Sequence, residues 1–248
     1  MEVHILTIFP EMFASPLEAS ILQRARERGL LQIQVHNIRD FTRGRHRVTD
    51  DYPYGGGAGM IMKPEPIVTG IHAVQARFGQ AYVILLSPQG MLLTQYVVKD
   101  LAQRQRLLLV CGHYGGVDAR VQQYIDLEIS IGDYILTGGE LPAMVIVDAV
   151  GRLVPEVLGD PQSAEADSLS HGLLQGPQYT RPAEFAGACV PAILRSGNHA
   201  AISQWRRRQA LKATLERRPD LLQHAVLSAQ DLATLRELQA QGANAHGQ

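Results

Sequence analysis

Three times in succession a short apolar run ends in a loop rich in glycine and proline. Residues 81–86 are followed by SPQG (87–90), residues 107–110 by CGHYGG (111–116), and residues 124–130 by IGDYILTGGELP (131–142). The runs are strands by length and composition, and helical patterns over 94–104 and 118–123 separate them. Strands that are apolar throughout belong to parallel sheets covered on both faces. If the three run parallel, their loops gather at one edge of the sheet, where α/β proteins bind ligands.

The chain around this repeat reads the same way. Residues 3–9 form a strand stopped by Pro10, 15–28 a helix closed by Gly29, and 31–38 a second strand. Helices are expected over 64–77 and, strongly apolar, over 140–153. Residues 39–63 break the pattern with Arg39, Arg43, Arg45, His46 and Arg47, then Asp50-Asp51 and the glycine run after Tyr54. A loop this long is functional or disordered. Arginines with glycines and tyrosines suit phosphate and base contacts, although a solvated charged loop accounts for the charges as well. It is not a P-loop, because no Gly-Lys-Ser/Thr follows.

A pocket made by the three loops consists largely of backbone groups, with Tyr114 and Tyr134 able to pack a ring. It has no lysine and no clustered arginine for a polyphosphate, and the dinucleotide glycine fingerprint is missing after the first strand. A flat nucleoside without phosphates points to S-adenosylmethionine. Asp133 and Glu140, paired in the third loop, are the first candidates for acid–base work.

The 248 residues carry a net charge of −1, so attraction to nucleic acid has to be local. Such a patch lies between Gln204 and Arg218, where Arg206, Arg207, Arg208, Lys212, Arg217 and Arg218 face Glu216 alone, a local charge of +5. Trp205, the one tryptophan, sits at its edge and reads as a core anchor. Helices are expected over 200–217, with Asn198 as N-cap, and from Ser228-Asp231 to about 241. Before this module, 155–177 reads as a linker with Asp160, Glu165 and Asp167 as candidate acids. Cys111 and Cys189 fit no disulfide or metal spacing and read as small buried thiols in a reducing compartment. No run approaches the ~20 apolar residues of a membrane span, and a cytoplasmic location is expected.

DDYPYGGGAGM, SPQG, CGHYGGVD, IGDYILTGGELPAM and SGNHAAISQWRR, in this order, closely resemble the bacterial tRNA (guanine-N1)-methyltransferases of the SPOUT superfamily. The resemblance implies an α/β fold with a parallel sheet, a trefoil-knotted catalytic domain (1–159), a flexible linker (160–177) that carries the base, and a helical tRNA-binding domain (178–248). It implies methylation of N1 of the guanosine 3′ of the anticodon, position 37, by S-adenosyl-L-methionine, in a homodimer with active sites at the interface. The implied cofactor residues are Leu85, Leu86, Ser87, Pro88, Gln89, Gly112, Tyr114, Ile131, Gly132, Asp133, Tyr134, Ile135, Leu136, Gly138, Gly139 and Pro142. The implied base is Asp167 and the implied catalytic arginine Arg152, which leaves Asp133 and Glu140 structural or cofactor-side. Substrate contacts fall on Tyr54, Gly55, Gly57, Gly59, Asn198, His199, Arg206, Arg207 and Arg208. Many members place a Glu after the tyrosine of CGxY, connected with magnesium dependence. Here that position is Gly115, so magnesium is an open point, and no metal ligand is assigned.

Three other readings compete. A SPOUT enzyme for another RNA position or a 2′-hydroxyl lacks a use for the Asp167 linker and the basic module. A non-catalytic RNA-binding protein leaves the three loops without a purpose. A nicotinamide dehydrogenase needs the absent fingerprint.

Overall fold

The computed structural model describes residues 1–159 and 167–245, the last four by backbone alone; the candidate acids Asp160 and Glu165 lie outside the described residues. The chain divides into two compact units, Met1–Pro161 and Gln162–Gln248.

The first unit contains strands β1 (Glu2–Thr7), β2 (Gln32–Asn37), β3 (Asp50–Asp51), β4 (Ile61–Met62), β5 (Tyr82–Leu92), β6 (Arg106–Cys111) and β7 (Leu127–Ser130). Its helices are α1 (Ala14–Leu17), α2 (Ser20–Glu27), α3 (Pro64–Phe78), α4 (Gln95–Ala102) and α5 (Glu140–Gly151). Five strands form one sheet in the order β2-β1-β6-β5-β7, every pairing parallel. Alternate residues of the apolar runs serve opposite faces. Val3, Ile5, Ile84, Leu86, Leu107 and Leu109 pack with α2, α4 and α5, whereas Leu6, Val83, Leu85, Leu108 and Val110 pack with α3. Both faces are buried, which is why the runs show no polar alternation.

The structure differs from the sequence reading at four places in this unit. The helix expected over 15–28 is two short helices preceded by a 3₁₀ turn at Pro10–Phe13, and Arg26 Nη1 donates to Leu17 O at the break (2.8 Å). The strand expected to stop at Leu86 continues to Leu92: Leu86 and Met91 both pair with Ile129, so residues 87–90 bulge out between them. The strand expected from Tyr124 begins at Leu127, because a 3₁₀ helix occupies Ala119–Tyr124. Finally, the irregular 39–63 segment contains a hairpin, β3 paired with β4, whose tip carries the glycines and a fully exposed Tyr54.

The second unit holds a two-stranded ribbon, β8 (Glu184–Phe185) and β9 (Ala188–Cys189), and helices α6 (His199–Arg217) and α7 (Ala229–Ala245). Its core is small: Leu173, Leu211, Leu235 and Leu238. Asn198 caps α6 by accepting from Ala201 N (3.1 Å), and Ser228 and Asp231 close a capping box ahead of α7. Cys189 is exposed, against the expectation of two buried thiols; only Cys111 is buried.

Asp231 is the electrostatic anchor of this unit. It is 6% exposed and accepts from Arg207 Nε and Nη2 (both 2.9 Å) and from the Ser228 amide and hydroxyl. Arg207 foremost holds its carboxyl well below the usual range. A carboxylate with a depressed folded value stabilises the fold above its unfolded value, about 3.9, and loses that contribution as pH falls further. Asp231→Asn is therefore expected to cost about 1–3 kcal/mol at neutral pH. The variant's stability should also fall less steeply than the wild type's below about pH 4. Thermal melts at both pH values measure this; equal slopes would exclude the anchor.

Candidate active site

The C-terminal ends of β5, β6 and β7 point the same way, so the bulge at 87–90, the loop after β6 and the loop after β7 meet. They enclose a cavity of about 610 Å³. Fifteen of the sixteen expected cofactor residues line it; the exception is Asp133, which is exposed. Two close backbone approaches build the walls. A Cβ on Gly90 would stand 2.4 Å from Glu128 C and Ile129 N, and one on Gly139 would stand 2.8 Å from Cys111 Cα. Only glycine lets the bulge rejoin β7, or the third loop cross the second, where Gly139 N donates to Gly112 O (2.7 Å).

The sequence reading missed other lining residues, among them His113, Gln122, Glu128 and Thr137. Glu128 and Gln122 belong to β7 and the preceding 3₁₀ helix, and only the β5–β7 pairing brings them to the cavity. His113 and Thr137 lie inside two of the glycine-rich loops, a signal that was available.

Glu140 is 1% exposed and begins α5. Its Oε1 accepts from the Thr7 hydroxyl (2.7 Å), and its Oε2 lies 3.5 Å from His113 Nδ1. It thus ties the end of β1 to the start of α5 and lies against the loop after β6. Burial foremost, and then Glu140, pushes the Cys111 thiol far up, which makes it inert.

The glycine hairpin and the CGHYGG loop, more than fifty residues apart in the chain, are joined. Gly115 N donates to Met60 O (2.9 Å), Met62 N to Gly116 O (2.9 Å) and Asp118 N to Met62 O (3.0 Å). A Cβ on Gly115 would meet Met60 O at 3.0 Å, so a glutamate there requires the hairpin to shift. Among the described residues no three His, Cys, Asp or Glu side chains could hold a metal ion.

The family profile "tRNA (Guanine-1)-methyltransferase TrmD" matches residues 1–224. The chain belongs to this family. A tRNA (guanine-N(1)-)-methyltransferase of Dictyoglomus turgidum is 54% identical over 238 residues, 96% of each chain. One of Geotalea uraniireducens is 55% identical over 240 residues, 96% of this chain and 97% of that one. In structure the chain is similar to the tRNA (m1G37) methyltransferase of Aquifex aeolicus, with a TM-score of 0.73 and 37% identity, covering 90% of this chain and 95% of that one.

A methyltransferase of this family uses S-adenosylmethionine, and the cavity fits it. Apolar flanks such as Leu85, Ile131 and Leu136 suit an adenine. Neither lysine nor arginine lines the space, and the one lining carboxylate, Glu128, suits a molecule with a positively charged sulfur.

Other expected site residues do not line this cavity. Arg152 is exposed at the end of α5 and does not line the cavity. As C-cap of α5 it stands thirteen residues from the N-cap Gly139, roughly 20 Å at about 1.5 Å per residue. Asp167 opens the described part of the second unit, partly exposed. Tyr54, Gly55, Gly57 and Gly59 share the hairpin tip, and Asn198 and His199 share the start of α6. Arg207 is taken up by Asp231, and Arg208 by Glu237 at 2.8 Å.

Proposed function

We propose that the chain transfers a methyl group from S-adenosylmethionine to N1 of the guanosine at position 37 of tRNA. What carries the reading is a nucleoside-sized cavity without lysine or arginine, made by three glycine-rich loops, in a chain that belongs to a tRNA (guanine-1)-methyltransferase family. The names of its relatives and of its structural neighbour supply the target base.

S-adenosylmethionine, when bound, supplies an electrophilic methyl group on a cationic sulfur. The rest falls to the chain's own residues. Guanine N1 carries a proton and is a poor nucleophile until that proton leaves. Asp167 takes the proton; a carboxylate is a weak base in water and a stronger one where water is excluded. Arg152 stabilises the negative charge that develops on the guanine oxygen.

Arg152 is too far along α5 to reach its own chain's cavity, which supports a homodimer in which it serves the partner's site. Leu141 and Val145, exposed at i and i+4 on α5, supply apolar contact surface for such a dimer. The linker and the helical unit act on the tRNA, and the location is cytoplasmic. Among the described residues no helix is long and apolar enough to cross a membrane.

The test is transfer of labelled methyl to tRNA transcripts that differ only at position 37. Incorporation is expected with G and none with A. Equal incorporation into both would overturn the target assignment.

A further inference from the structure

Apart from Arg217 and Arg236, which are exposed and line no described cavity, the arginines and lysine of the helical unit fall into two sets. Arg207, Arg208, Lys212 and Arg218 are neutralised inside the unit by Asp231, Glu237, Glu216 and Asp220. Arg181, Arg195 and Arg206 are exposed, and among the described residues no salt bridge or side-chain hydrogen bond engages them. These three line one cavity of about 330 Å³. No aspartate or glutamate lines it, so three positive charges share one small space without a counter-charge.

Two aromatic rings complete the cavity. Trp205 and Tyr179 stand 6.4 Å apart between centroids at 52°. Trp205 is half-buried and outside the leucine core of the unit, so it is not the core anchor that the sequence reading made it. An open aromatic pair beside unpaired guanidinium groups is a platform for a base with its phosphates: rings stack on any base, and guanidinium forks match phosphate oxygens. The confined volume favours a single nucleotide splayed out of its stack over a duplex.

We propose that this cavity holds one unstacked nucleotide of the tRNA, its base against Trp205 and Tyr179 and its flanking phosphates on Arg181, Arg195 and Arg206. The inference rests on the tRNA reading above and adds a site to it. It also divides residues that the sequence groups together: Arg206 contacts RNA, whereas Arg207 and Arg208 hold the unit together.

Trp205 is the only tryptophan in the chain, so its emission reports on this cavity alone. The full-length protein is titrated with a G37 tRNA transcript while its fluorescence is followed, and methyl transfer is measured alongside. Quenching that saturates with tRNA is expected. Arg181→Ala/Arg195→Ala should raise KM for tRNA about tenfold, leave kcat within about twofold, and lower the slope of log affinity against log salt by about one per arginine. S-adenosylmethionine affinity by calorimetry should not move. Trp205→Phe should keep most of the tRNA affinity, and Trp205→Ala should lose it.

Unchanged KM and salt slope in the double arginine variant, with wild-type transfer intact, would overturn this site and leave the functional reading standing. Emission that ignores tRNA would overturn the stacking. No methyl transfer to tRNA by the wild type would remove the functional reading and this site with it.

Discussion

Asp167→Ala is expected to lower methyl transfer to G37 tRNA by about 10²–10⁴-fold, the usual worth of a positioned general base. S-adenosylmethionine affinity should stay at its wild-type value, because Asp167 does not line the cavity proposed for the cofactor. Single-turnover transfer with saturating cofactor and tRNA separates the two effects. If Asp167 is the base, the loss sits in the chemical step, and raising the pH, which deprotonates the guanine in solution, recovers part of it. Full activity in the variant would remove Asp167 from the role.

Gly90→Ala has the largest expected effect on the fold of the site. The added methyl meets three backbone atoms, Glu128 C, Ile129 N and Glu128 O, at 2.4, 2.4 and 2.6 Å. No side chain can swing away to make room, so β5 and β7 have to part where the bulge rejoins the ladder. Overpacking of this kind costs about 1–3 kcal/mol or more. That corresponds to a fall of roughly 2–4 °C in Tm for each kcal/mol in a chain of this size. Because Ser87, Pro88 and Gln89 line the cavity, S-adenosylmethionine affinity should fall by about tenfold or more, a loss of roughly 1.4 kcal/mol. Thermal melts and calorimetry on the same sample test both. A variant with wild-type Tm and affinity would mean that the strands relax freely, and that the bulge is not held by this contact.

Much of the candidate cofactor site is legible in the chain because its residues are nearly contiguous. Each glycine-rich loop directly follows an apolar run, so naming the strands names the loops. Asp133 is the instructive exception: it lies within the third loop, yet its side chain faces solvent, a matter of loop conformation that residue type does not encode. Glu140 looks like an acid–base candidate by type and is instead the buried partner of Thr7 and His113, which lie 133 and 27 residues away in the chain. The bulge in β5 was missed because Pro88 and Gly90 read as a terminator; what carries the strand past them is its pairing with Ile129 on both sides.

The basic module shows the same limit. A local charge of +5 is a correct count over residues 204–218, but the carboxylates that neutralise Arg207 and Arg208 come from α7, beyond that window. The arginines left unpaired include Arg181 and Arg195, which no window over α6 contains.

By itself the sequence determined the parallel α/β class, the location of the five strands of the main sheet though not the end of β5, and the caps of α6 and α7. Each of these depends on residues a few positions apart, where backbone geometry and burial periodicity act directly. Only the tertiary structure decided which loops touch, which charges are already spent, and that Arg152 and the cavity stand at opposite ends of α5. Those are pairings between distant segments, chosen by packing, and no local pattern carries them.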